Sequence, residues 1–189
     1  RYFGSRLANC TVGVIGAGRI GSRVIRHLEG FDVKSVLVSD REQNKVFDER
    51  LNASFVDNQT IFEQADVVSL HLPLTVETRN MITARDMLKM KPDAILLNTS
   101  RGGIINEKDL YDVLKSGHLG GAAVDVFDKE PYEGLLSGIE RCILTAHMGS
   151  MTLDCRVRME VEATKEVIRL FKGEAFDSVV PEEEYDVQR

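Results

Sequence analysis

Short runs of β-branched and aliphatic residues alternate with amphipathic stretches along most of this chain. Thr11–Gly16 is a compact apolar run that predicts a strand. Arg19–Glu29 follows with Ile20, Val24 and Leu28 at i, i+4 and i+8, the spacing of one helix face, and Gly30 stands where that helix would stop. Val33–Ser39 predicts a second strand, Ala53–Val56 a shorter third, and Thr60–Gln64 a turn of helix. Asp66–His71 predicts a fourth strand, ended by Pro73. Thr83-Ala84-Arg85-Asp86 has the spacing of a capping box and opens a short helix that stops before Pro92. Ala94–Asn98 predicts a fifth strand, and Asn106 caps a helix through Lys115 that Gly117 closes. Ala122–Phe127 and Cys142–Thr145 complete the strands, and Met151–Lys172 is a long last helix.

Strand alternating with helix, through connections too long for hairpins, predicts parallel pairing by right-handed crossovers. The fold class is therefore α/β, a doubly wound parallel sheet (Rossmann) with helices on both faces. Sheets of this kind are covered on both sides, which accounts for strands such as VVSL (67–70) and AILL (94–97) that are apolar without alternation. A length of 189 residues supports one domain with a real core, read here as a dinucleotide-binding domain over 1–189. The chain opens on Arg1-Tyr2-Phe3-Gly4 without an initiator Met, which reads as a piece of something longer. An acidic stretch from Pro181 through Glu184 reads as a solvated end.

The junction of the first strand and first helix is Gly16-Ala17-Gly18-Arg19-Ile20-Gly21. In such a loop Gly16 allows a tight turn, Gly18 admits a pyrophosphate close to the backbone, and Gly21 lets helix and strand approach. The helix N-terminus then offers N–H groups and a positive dipole end to phosphate oxygens. A glycine pattern alone also fits a turn of no function. Here it follows a strand and opens a helix, and Asp40 ends the next strand about 20 residues on, where an acid accepts the ribose hydroxyls. The carboxylate of Asp40 repels a 2′-phosphate and favours NAD over NADP, while the adjacent Arg41 pulls the other way because an Arg can hold that phosphate.

Composition narrows the remaining classes. The net charge is −6 and no block of Lys or Arg occurs, which argues against nucleic acid as a partner. The cysteines Cys10, Cys142 and Cys155 are widely spaced and lack a CxxC, which fits neither a disulfide framework nor a zinc site and points to a reducing, cytoplasmic compartment. No metal-ligand spacing appears, no apolar run approaches the roughly 20 residues that span a bilayer, and the sequence carries no secretory leader.

Ligands of open parallel sheets bind outside the carboxyl ends of the strands. The residues predicted there are the glycine loop, Asp40, then His71, Leu72 and Pro73, then Thr99, Ser100 and Arg101, then Asp125 late in the sixth strand with Glu130 beyond, and His147 after the seventh. Each has a plain explanation alone: a satisfied core histidine, a solvated loop cation, a turn residue before Pro131, a surface loop. Together they suit one reaction. Reducing a 2-oxo acid to a 2-hydroxy acid needs a cation to hold the carboxylate and polarise the carbonyl, which the planar fork of Arg does. It also needs a proton donor, usually His, and a carboxylate behind that His to fix its tautomer and favour its charged form. Arg101, His147 and Glu130 supply one of each.

At these residues the sequence resembles the D-isomer-specific 2-hydroxyacid dehydrogenases, the family of phosphoglycerate, D-lactate and glyoxylate/hydroxypyruvate enzymes. The resemblance covers essentially the whole chain and rests on VGVIGAGRIG (12–21) with Asp40, HLPLTVETRNMI (71–82), LLNTSRGGIINEKDL (96–110), AAVDVFDKEP (122–131) and LTAHMGS (144–150). It implies that Arg101 is the substrate-binding catalytic Arg, that Glu130 is the carboxylate partner, and that His147 is the proton donor. It further implies that Arg19 and Ile20 lie along the pyrophosphate, and that Leu72, Pro73, Thr78 and Thr99–Arg101 line the cofactor groove. His71, His147 and Gly149 would join that groove, and Asp125 would meet the nicotinamide carboxamide. A homodimer is the default expectation by the same resemblance. Two features depart from the family: Ala146 stands before His147 where Pro is usual, and the segment between Glu130 and His147 is somewhat short. The family's N-terminal substrate domain is not in this sequence.

The reading that follows is an NAD-dependent oxidoreductase acting on a 2-oxo acid and its D-2-hydroxy acid. Its alternative is an NAD(H)-sensing binding protein of the same fold, like the corepressors that keep all three reacting residues. A formate- or phosphite-type dehydrogenase fits less well, because the Glu130–His147 pairing suits hydroxy-acid chemistry better.

Overall fold

The computed structural model describes residues 4–42, 52–177 and 179; the acidic stretch from Pro181 lies outside them. Strands β1 (Thr11–Ile15), β2 (Ser35–Ser39), β3 (Ala53–Phe55), β4 (Val67–Leu70), β5 (Ile95–Asn98), β6 (Gly121–Val124) and β7 (Cys142–Leu144) build one parallel sheet in the order β3-β2-β1-β4-β5-β6-β7. The order reverses between β1 and β4, so successive crossovers leave β1 in opposite directions and open a crevice at their carboxyl ends. The chain divides into two compact units, Arg1–Ala146 and His147–Arg189.

Alternation along each strand sorts the core of the first unit into two clusters. On one face Val12, Val14, Val36 and Val38 pack with Ile25 of α1 (Gly21–Leu28). On the other, Ile15, Val68, Leu70, Leu96 and Val124 meet Ile61 and Phe62 of α2 (Asn58–Gln64), Met87 of α3 (Ala84–Met87), and Leu110 and Leu114 of α4 (Glu107–Ser116). Burying one such side chain stabilises by roughly 1.5–3 kcal/mol. The half-exposed Lys91–Asp66 pair, at 2.8 Å, contributes no more than about 1 kcal/mol. Packing, not ion pairing, therefore holds the sheet in place.

Several local expectations are met and others are corrected. The Asn106 side chain accepts from the Asp109 N–H at 3.0 Å, and Gly117 ends α4 at φ 83°. Asp86 accepts the Thr83 N–H at 3.1 Å and its hydroxyl at 2.8 Å, as the capping-box spacing predicts. In α1, however, the buried positions are Gly21 and Ile25, and Ile20 is exposed. Gly30 does not stop this helix; a 3₁₀ turn carries on to Phe31, and Asp32 takes the left-handed position at φ 50°. Among the described residues Ile95, in the run AILL, is 41% exposed on the α1 side of the sheet. There α1 packs on β1 and β2, and β5 lies further along. Asp125 stands just past the end of β6, not within it. Cys142 is half-buried in β7, and burial pushes its thiol up to about 11, the behaviour of an inert packing residue.

The second unit carries α5 (Leu153–Lys172), closed by Gly173 at φ 69°. Its opening residue, His147, has left-handed backbone at φ 52°. No helix among the described residues is long and apolar enough to cross a membrane.

Candidate active site

At the switch point β1 and β4 end side by side, the His71 N–H bonding the Ile15 carbonyl at 2.8 Å. Gly16 leaves β1 with φ 93°, and a Cβ there would collide with the His71 carbonyl. A Cβ on Gly21 would collide with the Gly16 carbonyl, so the start of α1 sits as close to the strand end as backbone allows. Gly18 differs: a Cβ on it would meet nothing within 4 Å, which is the open side of the loop. Ile20 stands at the N-cap and makes no side-chain cap; the Ser22 and Arg23 N–H groups go to the Gly18 and Ile20 carbonyls at 3.1 and 2.9 Å, which keeps the glycine loop tight against the helix start. Arg19, beside Gly18, is exposed.

Asp40 follows β2 and faces the same loop. Its Oδ2 accepts the Ala17 N–H and its Oδ1 the Glu42 N–H at 3.0 Å. The carboxylate is thereby fixed against the glycine loop. Arg41, its neighbour, is exposed and lies 4.0 Å from Glu77. Glu77 is itself held by the Thr75 hydroxyl at 2.6 Å, which keeps its carboxyl below the usual carboxylate range. A glycine loop open at Gly18, a helix N-terminus and a fixed carboxylate beside them fit a dinucleotide without a 2′-phosphate.

The segment after β4 forms the opposite wall. Leu72 is half-buried and Pro73 exposed. Thr78, expected in the cofactor groove, is buried and its hydroxyl donates to the Pro73 carbonyl at 2.7 Å while accepting from the Thr75 N–H. It holds the shape of the 73–78 turn. The His71 Nε2 lies 2.9 Å from the Ser69 hydroxyl, and burial lowers the pKa of this imidazole below its ordinary value. Between about 6.5 and the lower folded value, the unfolded chain binds a proton that the fold does not, so stability falls as pH falls through that window. Thermal unfolding between pH 7.5 and 5.5 is expected to show a larger loss for the wild type than for His71→Asn. Equal losses would assign the acid sensitivity elsewhere.

Beyond β5, Thr99 and Ser100 lead to Arg101. Sequence reasoning missed the residue that holds this loop. Asn98, 2% exposed, donates through Nδ2 to the Arg101 carbonyl at 3.0 Å and accepts the Ser100 N–H and hydroxyl at 3.1 and 2.8 Å. Its polarity at the end of an apolar strand was the available signal. Arg101 is exposed, with one guanidinium N–H on the Ser100 carbonyl at 2.7 Å. Asp125 is buried, accepts the Thr145 hydroxyl, and donates its N–H to the Asn98 carbonyl at 3.0 Å. Glu130 accepts the Phe127 N–H at 3.1 Å. A Cβ on Gly102 would collide with the Phe127 carbonyl, so the loop bearing Arg101 and the segment bearing Glu130 lie backbone against backbone. His147 and Gly149 belong to the second unit, where a Cβ on Gly149 would meet nothing within 4 Å.

The sequence profile of the D-isomer specific 2-hydroxyacid dehydrogenase, NAD binding domain, matches residues 1–149. The chain belongs to this family. Among its relatives is the glyoxylate reductase of Thermococcus litoralis, 38% identical over 174 residues that make up 92% of this chain and 52% of that protein. The TT0316 protein of Thermus thermophilus superposes with a TM-score of 0.86 at 33% identity, covering 95% of this chain and 56% of that one. The NAD-complexed D-isomer specific 2-hydroxyacid dehydrogenase of Lactobacillus delbrueckii ssp. bulgaricus gives 0.83 at 28% identity, over 95% and 58%. The chain spans about half the length of the curated relatives it matches. The matched residues are those of the family's NAD-binding domain.

Proposed function

We propose that this chain is the cofactor-binding half of an NAD-dependent reductase that interconverts a 2-oxo acid and its D-2-hydroxy acid. The observation that carries the reading is the contact of the Arg101 loop with the Glu130 segment on the strand edge that also bears the glycine loop. Bound NAD(H) supplies or accepts the hydride. Arg101 holds the substrate carboxylate with its planar fork and polarises the keto oxygen. His147 gives a proton to that oxygen in reduction and takes it back in oxidation, with Glu130 as its carboxylate partner. Gly16, Gly18, Arg19, Ile20 and Gly21 take the pyrophosphate, Asp40 the ribose hydroxyls, and Thr99, Ser100 and Asp125 line the groove towards the nicotinamide. In the complete protein a homodimer is the assembly we propose.

The test is consumption of NADH by the full-length protein against glyoxylate, hydroxypyruvate, pyruvate, phosphohydroxypyruvate and branched 2-oxo acids, with NADPH in parallel. Glyoxylate leads the panel because several relatives carry the name glyoxylate reductase. NADH-dependent turnover of one acid, weaker with NADPH because the Asp40 carboxylate repels the extra phosphate, is the expected result. Clear NADH binding without turnover of any acid would replace the reductase with a nucleotide-sensing protein. A preference for NADPH would mean that Arg41 outweighs Asp40.

A further inference from the structure

Two consecutive backbone N–H groups in the segment after β6 are taken by two carboxylates. The Phe127 N–H goes to Glu130 at 3.1 Å, and the Asp128 N–H goes to Oε1 of Glu107 at 2.8 Å. Glu107 is the first residue of α4, distant in sequence and absent from the residues that motif reasoning singles out. Its side chain is half-buried, and burial together with the charge of Asp128 raises its carboxyl above the usual range. A carboxylate placed against another acid at the expense of solvation is poorly explained as a solvated helix-end charge. The same short segment is fixed from its other sides too. The Phe127 carbonyl abuts Gly102, next to Arg101, and the Asp128 carboxylate lies 3.6 Å from the guanidinium of Arg79.

We propose that Glu107 is a positioning residue for the reaction, its side chain fixing the 127–130 segment against the loop that carries Arg101. This rests on the reductase reading given above. Glu107 touches neither substrate nor cofactor; it acts through the Asp128 amide on the placement of Glu130 relative to Arg101. The function needs the reach of a five-atom side chain with a terminal oxygen acceptor. It does not need the charge. A helix-dipole role would need the charge and tolerate a shorter side chain, so the two roles separate by substitution.

The experiment compares Glu107→Gln, which keeps reach and acceptor without charge, with Glu107→Asp, which keeps charge and withdraws the acceptor. Both are made in the full-length protein and assayed with NADH and the 2-oxo acid turned over best by the wild type. Glu107→Asp is expected to lower kcat on the order of 10-fold to 100-fold, as a small misplacement of reacting groups does. Its KM for NADH should stay within about twofold, because the glycine loop and Asp40 lie apart from the change. Glu107→Gln should retain wild-type kcat. Amide hydrogen exchange over residues 125–131 is read in parallel, with faster exchange expected for Glu107→Asp and wild-type exchange for Glu107→Gln. The reverse order, or no difference between the variants, would overturn the proposal. If the wild type turns over no 2-oxo acid, the reductase reading fails by itself. The exchange measurement then still decides whether Glu107 anchors this segment, equal exchange in both variants refuting it.

Discussion

Replacing Arg101 with Ala is expected to lower kcat/KM for the 2-oxo acid on the order of 10³-fold, the scale of removing a donor aimed at charge that develops in the reaction. The structure explains why such a loss would be chemical and not a failure to fold. The Arg101 side chain is exposed, and its described bond runs only to the adjacent Ser100 carbonyl. Truncation away from the core changes stability by about 0.5 kcal/mol or less. The loop itself is held by Asn98, whose bonds go to Ser100 and to the backbone of residue 101, and these survive the substitution. NADH affinity should stay within about threefold, since the glycine loop and Asp40 are untouched. Arg101→Lys should recover little, because a point charge cannot reproduce a bidentate grip on a carboxylate. Steady-state kinetics, an NADH fluorescence titration and a melting curve on each variant check all three statements. Turnover that survives Arg101→Ala would remove the residue from the mechanism.

Much of this arrangement was legible in the sequence because the strands are short apolar runs and the loop between β1 and α1 has few chemical solutions. Where reading by hydrophobic spacing went astray, glycine was the reason. In α1 the stripe Ile20, Val24, Leu28 looks like the buried face, yet the helix turns Gly21 and Ile25 inward and leaves Ile20 exposed. The tightest contact is made by the residue with no side chain, which contributes nothing to an apolar pattern.

The site residues divide in the same way. Gly16, Asp40, Arg101 and Glu130 are proposed from motifs, since each belongs to a local spacing that suits a stated chemistry. Asn98 and Glu107 do their work through backbone groups supplied by the fold, in the case of Glu107 from a segment far away in sequence. To a pattern reader Asn98 is a polar strand end and Glu107 a routine acid after an N-cap. Thr78 shows the converse: a motif residue expected in the groove spends its hydroxyl on its own turn.

The second large effect concerns the proton. His147→Gln is expected to lower kcat about 10²- to 10⁴-fold, the usual worth of a positioned general acid or base. In reduction His147 gives the proton to the keto oxygen and in oxidation it takes it back, so both directions should lose rate together. If Glu130 supports that transfer through its charge, removing the charge should lower kcat in both directions as well. Glu130→Gln is a clean way to do this, because the amide oxygen of Gln can still accept the Phe127 N–H that holds the side chain in place. The geometry of the segment is kept and only the charge is withdrawn. A kcat lowered in both directions in Glu130→Gln, with a melting temperature like the wild type, would tie Glu130 to the proton transfer. An unchanged kcat would leave Glu130 as a structural acceptor for Phe127.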